Sequence, residues 1–598
     1  MDNFSISNIY DSNNLGSDLI FPCSDFNTFQ EELKHNKFDK SIPFWAEVDG
    51  LQFTDTSIRR KPGRSLIGDF SSQPIRGLFS INEYDTKVLY IGDLTNLYRW
   101  KLDDPTTIGT VVGSGYSLIE TGGASVWDNG QAVWDNGDAV WDEGSIVASA
   151  WSFTNFGTWV FAADNVGRIK VKKDNEVFGE LFTDSVSGAV ISNSGTGHAV
   201  GDTLTFTGGA GQNFAVEVTE INNTFNVTRV KLTNFGIGYN NGDTLTQSTT
   251  SGSGINLQLT ITVADCPFTR VTAIDKSGPH ILAINYDKAN SEHPYDVAWC
   301  DTDNPDTWVA ASANAAGSLT LREASSPLKA IVPLGDAKAI YTEDQMFILQ
   351  YTGAPYYFGY KTAFASGAGA VSPRSVVAVD STNYGLSRRG LFVTDGSSVE
   401  TIGDLEGINK YIRDNIAKSE YSQVTAYHNK INNEVIWSLP INSTKPTKQI
   451  TYNYSNKTFS IESIGASYVQ LSGVFNDDIT GYPDGEVFFE DGGQSNHATY
   501  GITKAHDLDD SYSIKEITSI RVGKIGDGNP LVEVGFAENI NDEPTFSPEH
   551  SFYVNGSYAD YKVRVAGRYL FLKISSDNNA DSWEITNMEI KGRVRGFR

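Results

Sequence analysis

Three tryptophans stand seven residues apart in VWDNGQAVWDNGDAVWDEGS, each followed at once by an aspartate: Trp127 with Asp128, Trp134 with Asp135, Trp141 with Asp142. An aromatic face beside a carboxylate can stack on a sugar and accept its hydroxyl protons, and aromatic rings also pack on one another. A helix would line the tryptophans along one stripe at a 3.5-residue period, but the Asn-Gly or Glu-Gly in each unit opposes it. A continuous strand would turn successive tryptophans to opposite faces, because seven is odd. Each unit is therefore expected to be a short strand with a tight turn, glycine supplying the positive φ. Three roles stay open: an aromatic spine in a small-residue loop, an acidic loop facing a channel, or a platform for sugar.

A second cluster is cationic. RRKPGR gathers Arg59, Arg60, Lys61 and Arg64, and on an acidic chain such a run is expected to dock an acidic partner. The grammar of common catalytic sites is missing: no GxxxxGK[ST], GxSxG or HExxH occurs, and the eight histidines have no metal-ligand spacing. Asp577, Asn579 and Asp581 in DNNADSWE open like a calcium loop, but Ser582 takes the glycine place and the late glutamate is misplaced, which points to a solvated turn. Acidic residues are too many for any pair to stand out as a glycosidase dyad. No catalytic residue, cofactor or metal is expected, and the chain reads as a non-enzyme.

The elements that would carry these clusters are β-strands. Aromatic residues make up 12% of the 598, Gly is abundant, and short Val, Ile, Thr, Phe and Tyr runs alternate with Asn-Gly, Asp-Gly and Ser-Gly punctuation. VLYIGDLTNLYRWKLD, TWVFAADNVGRIKVKKD and GLFVTDGSSVETIGD read as hairpins. VTAID, LKAIV, VVAVD and VTAYH are short strands centred on Ala273, Ala330, Ala378 and Ala426, which lie 57, 48 and 48 residues apart. That spacing is near the 40–50 residues of a four-stranded propeller blade.

A different repeat interrupts the rhythm. GTGHAVGDTLT begins at Gly195 and GIGYNNGDTLT at Gly236, 41 residues later, each followed by a Gly-rich turn and an alternating strand. One helix is expected in LEGINKYIRDNI, on Leu405, Ile408, Ile412 and Asn415/Ile416, with Asp404 as its cap. The fold class is accordingly mainly β: a degenerate β-propeller with an inserted two-repeat β-domain and a C-terminal β-sandwich. The expected organisation is a platform and docking segment at 1–80, first blades with the Trp-Asp loop at 81–185, the insertion at 186–265, the remaining blades at 266–500, and a sandwich returning to the platform at 501–598.

Charge and cysteines bound the function further. A formal charge of −27 repels phosphate backbones and anionic membranes. Cys23, Cys266 and Cys300 show no CxxC spacing, and free thiols suit folding in a reducing cytoplasm. The N-terminal residues lack the basic and apolar regions of a secretion signal, and no apolar stretch approaches a bilayer span.

An ordered series of motifs gives a resemblance. WCDTDNPDTW, SSPLKAIVPLGDAKAIYTEDQMFILQYTG and GAGAVSPRSVVAVDSTNYGLSRRGLFVTDG resemble, in that order, the tail-nozzle proteins of short-tailed bacteriophages, the tail tubular protein B family related to packaged-DNA stabilisation proteins. RRKPGR is similar to their early R-R-P-G-T segment, with Lys61 added and Arg64 in the Thr place, and WSFTNFGTWVFAADNVGRI to another of their strands. The Trp-Asp heptad and the Gly-rich repeats are not part of the family pattern. The resemblance implies a virion structural protein, assembled in the host bacterial cytoplasm as a hexameric ring. It would sit below portal and adaptor proteins, beside tail fibres or spikes, and retain and then conduct double-stranded DNA without reading its sequence. Arg59, Arg60, Lys61 and Arg64 become candidates for adaptor docking, and Trp127, Asp128, Trp134, Asp135, Trp141 and Asp142 for a lumen loop. A glycan-binding or glycan-cleaving propeller used for receptor binding is the alternative.

Overall fold

The computed structural model describes residues 3–5, 19–22, 45–53, 57–61, 63–101, 110–114, 151–173, 177–289, 291–404, 407–463, 465, 468–471, 474–475, 478–493, 499–503, 505, 512–539, 542–577 and 582–597. The chain is mainly β and is organised in many small antiparallel sheets. Seven of these have four strands each. They occupy 77–114, 152–180, 268–320, 330–364, 376–401, 425–462 and 468–493, the last taking its fourth strand, Gly63–Asp69, from the N-terminal side.

The first strands of the seven sheets are Gly77–Glu83, Ser152–Phe156, Phe268–Ser277, Ala330–Leu334, Val376–Val379, Thr425–Asn429 and Tyr468–Leu471. Each packs on the next in chain order, and Tyr468–Leu471 packs back on Gly77–Glu83. Ala273, Ala330, Ala378 and Ala426 all lie on such first strands, and the three hairpins read from the sequence are formed. Several second strands carry unbroken apolar runs, VLYI in Thr86–Gly92, WVFAA in Trp159–Ala163 and ILAI in His280–Lys288, because both of their faces are buried there. In Thr86–Gly92, Val88 and Tyr90 join the apolar cluster shared with the second sheet, whereas Leu89 and Ile91 join the one shared with the seventh. The same period of two sends Ile281 and Ala283 toward the second sheet, and Leu282 and Ile284 toward the fourth.

Residues 186–263 form a six-stranded, nearly closed sheet between the second and third sheets, with a core of its own. In chain order its strands are Val186–Thr196, Thr203–Thr207, Gln212–Ile221, Val227–Ile237, Thr244–Thr250 and Ile255–Val263. In space the order runs first, sixth, fifth, second, third, fourth, so exchanging the two sequence repeats leaves it unchanged. The packing is reciprocal in the same way. The His198 ring of the first repeat fills the space over Gly254 of the second, and the Tyr239 ring of the second fills that over Gly211 of the first; a Cβ would sit 2.0 Å from the first ring and 2.4 Å from the other.

The two ends of the chain meet in a pair of sheets. Strands Asn3–Ser5, Leu19–Pro22, Leu51–Phe53 and Ile58–Arg60 share an eight-stranded sheet with Ser513–Ile525 and Glu584–Phe597, while Trp45–Asp49 joins a five-stranded sheet with Leu531–Ala537 and Tyr569–Ser576. Their common core merges with the fifth and sixth sheets and the helix. That helix spans Ile408–Asn415 and buries Ile408 and Ile412, but Asp404 does not cap it. Gly407, at φ +74°, breaks the chain just before the first turn, and the Asp404 carboxylate accepts a bond from the Asn409 amide instead. No helix of the described residues is long and apolar enough to cross a membrane.

Candidate functional site

The cationic run lies where the strand Gly63–Asp69 closes the seventh sheet. Arg59 Nε donates to Gln52 Oε1 at 2.7 Å, and Gln52 in turn donates to Glu434 of the sixth sheet. Arg60 is buried. Lys61 Nζ lies 2.5 Å from Glu462 Oε2, and the Arg64 guanidinium 3.8 Å from Glu462 Oε1. Arg64 also donates to the Tyr482 hydroxyl and lies 4.9 Å from the Tyr482 ring centre and 5.7 Å from that of Phe488. Burial works against the Lys61 charge, yet Glu462 and Glu490 hold its ammonium above the usual range. Burial pushes the Glu490 carboxyl up, and Arg64 and Lys61 offset this only in part. Part of the expected docking run is thus engaged within the chain: the Lys61 and Arg64 side chains are 20% and 10% exposed, and they staple the closing strand to the sixth and seventh sheets.

A second polar group lies inside the cycle of sheets, where the first strands begin. Arg374 precedes the fifth sheet, and its Nη2 donates at 2.5 Å to the carbonyl of Trp151, which precedes the second. Two sheets separate these positions on one side of the cycle and three on the other, so the bond crosses the interior. The Arg374 guanidinium also lies 5.3 Å from the ring centre of Tyr468 on the seventh sheet. Arg76, before the first sheet, donates to Gln423 Oε1, before the sixth, at 3.3 Å, and Gln423 Nε2 donates to Glu420 and to the Thr444 carbonyl. Two arginine chords thus close this end of the cycle.

Trp151 anchors the arrangement. It is fully buried, its Nε1 donates to the Asp93 carbonyl at 2.8 Å, and its ring occupies the space above Gly77 and Gly92. A Cβ at Gly92 would stand 2.4 Å from Trp151 Cδ1, so only glycine admits the ring. Asp93 itself accepts bonds from the Thr95 and Asn96 amides and from the Tyr98 hydroxyl, which ties the turn of the first sheet. The only sequence signal for the chords is a cation placed immediately before a first strand, in PIRG and SPRSVV, and a lone arginine names no partner.

The heptad, with Trp127, Asp128, Trp134, Asp135, Trp141 and Asp142, lies outside the described residues, as do 578–581 of the calcium-like turn. Among the described residues no group of three or more His, Cys, Asp or Glu side chains is placed to hold a metal ion. Cys266 and Cys300 are buried, and desolvation pushes both thiols up to about 12.

No protein-family model matches the chain, and no curated protein matches it. Among solved structures, the computationally designed Ika8 protein is similar over 72% of this chain and 99% of that one, with 11% identity and a TM-score of 0.33.

Proposed function

We propose that the chain is a virion structural protein: a tail-nozzle subunit of a short-tailed bacteriophage that assembles, six copies to a ring, below the portal and adaptor, and retains and then conducts the packaged DNA. In this reading the seven four-stranded sheets are the blades of a closed β-propeller, with Gly63–Asp69 as the closing strand. The observation that carries the proposal is the cyclic packing of the first strands, together with the fall of the motif series 299–396 on three consecutive sheets of that cycle.

The arginine chords bear on where the DNA runs. With Arg374 and Arg76 spanning one end of the cycle, a duplex has no route along the axis of a single subunit. The conduit therefore lies between copies, around the symmetry axis of the ring. At −27 per copy the wall as a whole releases few counterions from DNA, so the duplex slides rather than sticks. The paired ends of the chain form the natural platform for the adaptor.

The test is electron microscopy of the purified protein alone and with portal–adaptor complexes. Rings that cap the complex support the proposal. A monomer that neither closes into rings nor joins the complex rejects it.

A further inference from the structure

Neighbouring strands of the four-stranded sheets run antiparallel, so a fourth strand ends at the same end of the cycle where the next first strand begins. The turns between second and third strands lie at that end too. Residues 115–150 leave the first sheet at Ser114, the last residue of its fourth strand, and return at Trp151, just before the second sheet. Both attachment points therefore lie at this end. The segment is outside the described residues, but its sequence holds six carboxylates, on Glu120, Asp128, Asp135, Asp138, Asp142 and Glu143, and no Lys, Arg or His.

On the fifth sheet the same end is basic. Arg388 and Arg389 occupy the turn between its second and third strands, with side chains 59% and 62% exposed. Arg413, on the helix that follows the fourth strand, donates from Nη1 to the Arg389 carbonyl at 3.0 Å, so three guanidiniums share one turn. Carboxylates are few there. Glu343 Oε1 is divided between Lys329 Nζ at 2.8 Å and Arg388 Nη2 at 3.0 Å, and Asp344 Oδ2 lies 3.0 Å from Arg389 Nη2. Exposed Arg413 and Lys418 pair with no carboxylate among the described residues. The other acids of this end face elsewhere: Asp404 accepts from Asn409, Glu420 from Gln423, and Asp414 lies 3.4 Å from Lys410.

A chain of hydrogen bonds brings the acidic segment's end to this turn. The Trp151 carbonyl accepts from Arg374 Nη2 at 2.5 Å. The link that carries Arg374 runs beside the basic turn, since the Val371 amide donates to the Leu386 carbonyl at 3.2 Å and the Leu386 amide to the Ser375 carbonyl at 3.0 Å. Leu386 stands two residues before Arg388.

We propose that residues 115–150 of the same chain dock through their carboxylates on the guanidinium cluster of Arg388, Arg389 and Arg413. Planar guanidinium forks match carboxylates in pairs, and these three retain exposed nitrogens after their contacts within the fold. A segment tethered at both ends meets the cluster at high effective concentration, whereas an anionic partner from solution must first approach a chain of −27. The carboxylates of the Trp-Asp heptad are then engaged by the chain's own arginines. The inference concerns the single chain and does not rest on the nozzle.

Carbodiimide coupling of the full chain reads the contact, because it joins a carboxylate to an amine only where the two touch. Lys329 and Lys418 are the reporting amines. Peptide mapping by mass spectrometry should find Asp or Glu residues of 115–150 joined to Lys329 or Lys418. In an equal mixture of ¹⁴N- and ¹⁵N-labelled protein, both halves of each joined pair should carry the same isotope. The triple variant Arg388→Gln, Arg389→Gln, Arg413→Gln, in which the reporting lysines remain, should lower the yield about tenfold through the loss of three exposed ion pairs. Sodium chloride at about 0.5 M should do the same to the wild type by screening. All three positions are exposed, and a melting temperature like the wild type's certifies the variant's fold.

An absence of joined pairs between 115–150 and these lysines overturns the inference, as does a triple variant that couples as well as the wild type. Pairs of mixed isotope would assign the cluster to the segment of a second copy and overturn it in the form proposed. A short fluorescent DNA duplex bound by the wild type but not by the triple variant would make the occupant a phosphate backbone, and that too overturns it. Same-chain coupling in a protein that forms no rings leaves this inference standing and removes the nozzle.

Discussion

Replacing Arg374 by Met tests the arginine chords and the route of the DNA together. Methionine retains most of the aliphatic stem and its packing, and removes the bond to the Trp151 carbonyl at 2.5 Å and the stacking over Tyr468 at 5.3 Å. A hydrogen bond from a charged donor contributes about 1.5–3 kcal/mol, and a cation over an aromatic ring about 0.5–1 kcal/mol more. Removing the guanidinium also relieves a desolvation cost, since its Nε has no bonding partner among the described residues. The net loss should be about 2 kcal/mol, read as a lower midpoint in urea with an unchanged slope. A loss under about 0.5 kcal/mol would mean that the chord contributes nothing to the cycle, and a loss above about 5 kcal/mol that Arg374 holds more than a chord. In particles of the proposed nozzle, whose conduit would lie between copies, the variant should retain and eject DNA at the wild-type rate. Leakage or faster ejection would place the duplex on the axis of the single subunit and refute that reasoning.

Glu83→Gln should cost about 3–5 kcal/mol in chemical denaturation, because the buried carboxylate that serves Tyr90, Arg99 and Lys172 becomes an amide. Burial pushes the Glu83 carboxyl up, but Lys172, Arg99 and Tyr90 outweigh it and hold it below 4.5. Its stabilisation is thus present above pH 4.5 and lost as pH falls through the lower folded value; the wild type should lose more stability in acid than the variant. Glu490 has the opposite sign: its folded value is raised by burial, so its ionisation opposes folding above pH 4.5. Glu490→Gln should raise the melting temperature at pH 7, with the gain vanishing as pH falls below 4.5. Gly92→Ala should cost about 1–3 kcal/mol by overpacking against Trp151 and shift the tryptophan emission; an unchanged melting temperature would show that the ring can move aside.

What could be read from the sequence follows the range of the interactions. The hairpins, the Ala-centred first strands and the insertion are local or periodic, and each is written in turns and alternation within a few dozen residues. The closing strand is not, since Gly63–Asp69 pairs with Glu486–Gly493 more than 400 residues away, and nothing in GRSLIGD names that partner. The cationic run was visible, but its direction was not: a basic cluster looks the same whether it faces solvent or Glu462 and Tyr482. Asp404 failed as a cap because helix-capping residues compete for partners, and the left-handed Gly407, three residues later, and the Asn409 side-chain amide, five later, settled that competition.

Repetition in the insertion separates what the geometry requires from what it leaves free. The matched glycines Gly211 and Gly254 are required by geometry, since the rings of Tyr239 and His198 occupy their missing side chains, and any chain with this fold would keep them. Asp184 and Phe225 share a left-handed backbone but not their surroundings: the Asp184 amide donates to the Ala264 carbonyl where the chain enters the domain, and the Phe225 amide donates to the Asn222 carbonyl within a hairpin turn. An exposed phenylalanine in a left-handed turn is also unfavourable by itself, in a conformation that suits Asp far better. Phe225→Asp should therefore raise the melting temperature slightly, and a lower one would return Phe225 to the domain's own packing.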